Sequence, residues 1–72
     1  MTFRNKEVES IYNYIKDKEI EEIVQSNLKS KLEVMYIGIY ETPPLTSYNK
    51  VDIARRIINY FKDLKRTEKL IG

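Results

Sequence analysis

The chain contains no cysteine and no histidine among its 72 residues. The first absence excludes a disulfide and a thiolate metal site. The second removes the commonest metal ligand and the commonest general base near neutral pH. A self-contained active site is therefore not expected, and neither is a cofactor. The lack of cysteine fits a reducing compartment, so the expected location is the cytoplasm. There is no apolar run of the ~18–20 residues that a membrane span needs, so no membrane partner is expected. Met1 to Lys6 has no apolar stretch behind its charges and does not read as a signal peptide. Glycine and proline are scarce, at two each, which predicts few breaks and few, long elements.

What is present suits a folded chain: 42% hydrophobic and 33% charged residues. A chain this short makes one domain, residues 1–72, that buries only about 60% of its unfolded surface. The charge is unevenly placed. Residues 48–72 hold seven basic and three acidic side chains, a net of +4. Residues 1–47 hold six basic and eight acidic ones, a net of −2. The small overall charge of +2 thus hides a basic C-terminal segment, and such a segment draws anionic partners, nucleic acid foremost.

Periodicity predicts an all-α fold, a small three-helix domain. Val8, Ile11, Tyr12 and Ile15 recur at i, i+3, i+4 and i+7, which makes one apolar stripe on a helix over about 4–17. Asn5 or Thr2 is placed to cap it. The all-charged run Lys16-Asp17-Lys18-Glu19 predicts a break. A second stripe, Ile20, Ile23, Val24, Leu28, Leu32 and Met35, predicts a helix over about 19–37. Glu19, Glu21 and Glu22 then stand where the helix dipole favours negative charge. The apolar run 35–40 has no second strand to pair with, so Gly38 is read as a left-handed stop with Ile39 folding back over the helix end.

Pro43-Pro44 forces a loop over 41–49, and its apolar Leu45 and Tyr48 predict packing onto the core. Asn49 then caps a third helix over about 50–66, with Asp52 three residues on to reach back. Ile53, Ala54, Ile57, Ile58, Phe61 and Leu64 fall within about 140° of one another and form its buried arc. Leu70 and Ile71, in a frayed extension, are placed to tuck back.

Opposite that arc, Arg55, Asn59, Lys62 and Arg66 stand at i, i+4, i+7 and i+11, within about 60° on a helical wheel. No acid interrupts them, and a line of cations can follow a phosphate backbone by releasing condensed counterions. A solvated helix face explains the same pattern equally well. Lys50 at the helix start adds a possible contact. Arg56 lies beside Asp52 and Asp63 on the wheel, which reads as a surface ion pair. The six tyrosines read mainly as core-edge residues that keep a wet hydroxyl.

Residues 28–61 resemble a helix–extended loop–helix unit of the SAP type, a small DNA-binding fold. Leu28-Lys29-Ser30-Lys31-Leu32 is similar to its first helix, and Tyr36-Ile37-Gly38-Ile39 to that helix's ending. Pro43-Pro44-Leu45-Thr46-Ser47-Tyr48 would be the extended loop. Asn49-Lys50-Val51-Asp52-Ile53-Ala54-Arg55-Arg56-Ile57 is similar to the second helix. Residues 1–27 would be an added helix that completes the core. The resemblance implies that Lys50 and the basic positions after it touch the DNA backbone.

The expected function is therefore a non-catalytic, nucleic-acid-binding small regulatory or accessory protein, with double-stranded DNA as the partner. Lys50, Arg55, Asn59, Lys62 and Arg66 are the candidate phosphate and polar contacts, and Tyr48 and Asn49 the candidate groove or sugar contacts. The rival expectation is a protein–protein adaptor or inhibitor, with a homodimer as one form of it, resting on the apolar surplus of residues 35–48.

Overall fold

The computed structural model describes the backbone of residues 3–71 and the side chains of residues 3–66. Within them the chain forms four helices: α1 (Lys6–Ile15), α2 (Ile20–Ser26), α3 (Lys29–Tyr40) and α4 (Lys50–Ile71). No strand occurs among the described residues. The main packing pairs are α3 with α4, α2 with α4, and α1 with α3.

The expected all-α class holds, with one helix more than the periodicity predicts. The second stripe is cut at Asn27. That residue leaves helical dihedrals (φ −133°, ψ 140°), and its side-chain Nδ2 donates to the Ile23 carbonyl at 2.8 Å and to the Tyr14 hydroxyl at 3.0 Å. A short polar side chain here satisfies a helix-end carbonyl and competes with continuation of the helix. Leu28 becomes the residue before α3 and is 74% exposed, although its spacing placed it in the apolar stripe.

Gly38 is also corrected. It lies inside α3 and its φ is not positive. It faces α1: a Cβ there would stand 2.7 Å from Glu7 Oε1 and 3.5 Å from Ile11 Cδ1, both side-chain atoms. The left-handed residue is Glu41 instead (φ 60°, ψ 23°), whose N–H closes α3 on the Ile37 carbonyl at 2.8 Å. Arg4 reaches the same helix end, donating to the carbonyls of Ile39 (3.0 Å) and Gly38 (2.6 Å).

The core follows the predicted faces. Val8, Ile11 and Ile15 of α1 meet Ile23 of α2, Leu32, Met35, Tyr36 and Ile39 of α3, and Ile53, Ala54, Ile57 and Phe61 of α4. No polar or charged residue is buried among the described residues. A row of rings crosses the molecule from α1 through α4 to α3. Successive centroids are 5.3 Å apart for Tyr12–Phe61, 5.0 Å for Phe61–Tyr60, 5.7 Å for Tyr60–Tyr40 and 4.5 Å for Tyr40–Tyr36. Burial and the neighbouring Tyr36 push the Tyr40 hydroxyl pKa up from its ordinary value, and that hydroxyl donates to the Arg56 carbonyl at 2.7 Å.

The loop over 41–49 packs only in part. Tyr48 is half-buried against the core, but Leu45 is 61% exposed. The backbone of α4 continues to Ile71. The expectations for Thr2 as a cap, and for Leu70 and Ile71 tucking back, lie outside the residues whose side chains are described. Asn5 caps α1, accepting from the Val8 N–H at 2.9 Å.

Candidate functional site

The seven residues singled out by sequence fall into two groups. The first group holds the start of α4 together. Asn49 accepts from the Asp52 N–H at 2.9 Å, and Asp52 accepts from the Asn49 N–H at 3.1 Å. This is a reciprocal capping box, with Asp in place of the usual Glu or Gln. Lys50 is half-buried, and its ammonium donates to the Val24 carbonyl at 3.1 Å. It thereby ties α4 to the last turn of α2. Tyr48 lies under the Arg56 guanidinium, 4.5 Å from ring centroid to carbon. Arg56 thus has an aromatic face as a partner, a cation–π contact, beside the two acids, Asp52 and Asp63, that spacing sets next to it. The Asp52 carboxylate is engaged with its own helix start.

Three of the four residues in the second group face an open groove. Arg55, Asn59 and Lys62 line a depression of about 640 Å³ between α4 and the α1–α2 corner. Arg66 is exposed farther along α4 and does not line it. The structure adds three cations that the wheel did not select: Lys65 from α4, and Lys16 and Lys18 from the turn after α1. Glu19 is the one acid among the lining residues. The floor is apolar and aromatic, made by Tyr12, Ile15, Ile20, Ile58 and Phe61. Of these, Tyr12, Ile20 and Ile58 are half-buried and keep surface toward the groove, while Ile15 and Phe61 belong to the core.

The walls are positioned by ordinary helix physics. The Lys18 N–H closes a tight turn on the Ile15 carbonyl at 3.0 Å. Its ammonium donates to the Tyr14 carbonyl at 2.8 Å and sits 4.3 Å from the Tyr14 ring centroid. Lys18 therefore spends part of its hydrogen-bonding capacity on the end of α1, as cations near a helix C-terminus do. Lys16, Arg55, Asn59, Lys62 and Lys65 are exposed. Five cations and one carboxylate give the lining residues a net charge of +4, against +2 for the whole chain.

Lys16 and Lys18 were missed because they belong to the net-negative half of the sequence. Lys65 was missed because it lies roughly 90° around α4 from the centre of the basic stripe, on the flank that turns toward α1. The Lys-Asp-Lys turn was the available signal: a break after α1 must bring that turn beside whichever helix packs there. No helix among the described residues is long and apolar enough to cross a membrane. No protein-family model, no curated protein and no solved structure matches this chain.

Proposed function

We propose that this is a non-catalytic nucleic-acid-binding protein that holds phosphates on the cations of the groove between α4 and the α1–α2 corner. The observation that carries the reading is the convergence of Arg55, Lys62 and Lys65 with Lys16 around one depression that holds a single carboxylate; Lys18 lines it too, but its ammonium already serves the Tyr14 carbonyl. Each phosphate neutralised there releases condensed counterions, so binding gains entropy and depends steeply on salt. Tyr48, Asn49 and Lys50 have no part in the proposal, since Asn49 caps α4, Lys50 bonds to the Val24 carbonyl and the Tyr48 ring seats Arg56.

Titration of a fluorescent oligonucleotide at two salt concentrations tests this. Changing Arg55, Lys62 and Lys65 together to Gln should weaken binding to all sequences alike. It should lower the slope of log affinity against log salt by roughly 0.7–0.9 per lost contact. Folding should hardly change, because exposed substitutions usually stay within about 0.5 kcal/mol. Arg56→Gln is the control, since that guanidinium is seated on Tyr48. Absence of binding at low salt, or an equal effect from Arg56→Gln, defeats the reading.

A second reading has its own observation. Val34 (58% exposed), Ile37 (45%), Tyr40 and Leu45 leave apolar surface on α3 and the following loop, which suits a protein-binding adaptor. Association through that surface would be insensitive to salt.

A further inference from the structure

The basic groove has an apolar floor, and a duplex has little to put on it. Double-stranded DNA turns its sugar-phosphate backbone outward and keeps its base faces stacked. Pressing phosphates onto Tyr12, Ile20 and Ile58 would strip their water without offering hydrogen bonds in return. An unpaired strand has no such conflict. Its phosphates can stay on the rim cations while a base turns its flat face onto the floor, and base–aromatic stacking tolerates any sequence. Asn59 lines the same groove. Its amide both donates and accepts, so it can meet a base edge.

Resting on the nucleic-acid reading above, we infer that the ligand is single-stranded nucleic acid, with phosphates on Arg55, Lys62 and Lys65 and an unstacked base on Ile58 and on the part of Tyr12 that lines the groove, beyond its ring contacts with Phe3 (5.1 Å) and Phe61 (5.3 Å). Strandedness and base contact are separable without altering the protein. The probes are a short oligothymidylate, the same strand annealed to oligoadenylate, and an abasic phosphodiester of equal length, each titrated at low salt. The abasic strand keeps every phosphate and loses every base face.

The single strand should bind tightest, and the abasic strand should bind about tenfold or more weakly, the lower part of the range for one stacked base. A purely electrostatic groove gives the reverse order, because the duplex has the higher charge density. Equal affinity for the oligothymidylate and the abasic strand, or tightest binding of the duplex, overturns the inference and leaves the nucleic-acid reading standing. Failure of all three probes to bind overturns both and favours the adaptor.

Discussion

Replacing Gly38 by Ala should stabilise this protein. Glycine inside a helix costs roughly 0.8–1.0 kcal/mol relative to alanine, because its backbone loses more freedom on folding. Gly38 has helical backbone within α3 and lacks a positive φ, so alanine adopts its conformation without strain. Against this gain stands the approach of α1. The new Cβ would lie 2.7 Å from Glu7 Oε1 and 3.1 Å from Glu7 Cδ, and at an ordinary 3.5 Å from Ile11 Cδ1. The two short contacts are to the far end of an exposed side chain, which can move into water by switching between staggered rotamers. None of the three nearest atoms is α1 backbone, so the two helices need not separate. The net expectation is a gain of about 0.5–1 kcal/mol, or roughly 2–8 °C in melting temperature for a domain of this size. Thermal melts by circular dichroism, with urea titrations alongside, measure it. The urea midpoint should rise with an unchanged m-value. Combining Gly38→Ala with Glu7→Ala isolates the cost of displacing Glu7 as a coupling energy. A loss of 1 kcal/mol or more in both the single and the double variant would refute the reasoning. It would mean that the α1–α3 approach itself, and not the Glu7 carboxylate, forbids the methyl group.

Three further outcomes follow from the packing. Ile57 is 1% exposed on the buried face of α4, so Ile57→Ala should lose about 2–5 kcal/mol, enough to unfold a domain this small; a melt matching the parent would contradict the core assignment. Glu41 holds a left-handed conformation that penalises a Cβ by about 1 kcal/mol or more. Glu41→Gly should therefore raise stability by about 0.5–1 kcal/mol, since its 3.8 Å ion pair with Arg4 is exposed and worth little, and an unchanged or lower urea midpoint would count against the strain. Lys50→Met keeps the aliphatic stem and removes the bond to the Val24 carbonyl, so it should lose about 0.5–1.5 kcal/mol while leaving oligonucleotide affinity and its salt slope in place. A fall in affinity with unchanged stability would return Lys50 to the binding surface.

The parts of the fold legible in the sequence are those decided within one helix. The stripe of Val8, Ile11 and Ile15 and the arc of Ile53, Ala54, Ile57 and Phe61 turn inward as their spacing requires. The Asn5 cap and the Asn49–Asp52 box are likewise local, and both form. The misreadings concern contacts between segments far apart in sequence. Gly38 looks like a helix stop until Glu7 and Ile11 are seen beside it. Leu28 continues an apolar stripe until Asn27 bonds to Tyr14 of another helix. The α4 wall of the groove was legible on a wheel, as Arg55, Asn59 and Lys62. The opposing wall was not, because a wheel carries no information about which neighbour packs against a helix.

The same reasoning explains why the residues at the start of α4 are left out of the proposed site while Arg55, Asn59 and Lys62 are kept. Every helix leaves four N–H groups at one end and four carbonyls at the other without internal partners. Four helices in so short a chain crowd those ends together, and the nearest polar side chains are taken up by them. Asn5, Asn27 and Asn49 serve the ends of α1, α2 and α4, and Arg4, Lys18 and Lys50 reach carbonyls in the last turns of α3, α1 and α2. A cation beside a helix terminus is therefore poor evidence for a ligand in a domain of this kind. Arg55, Lys62 and Lys65 sit well inside α4, where the helix's own bonds already satisfy the backbone. Their charge is exposed along one groove, and it is this mid-helix placement, more than the number of basic residues, that supports the proposal of an anionic partner there.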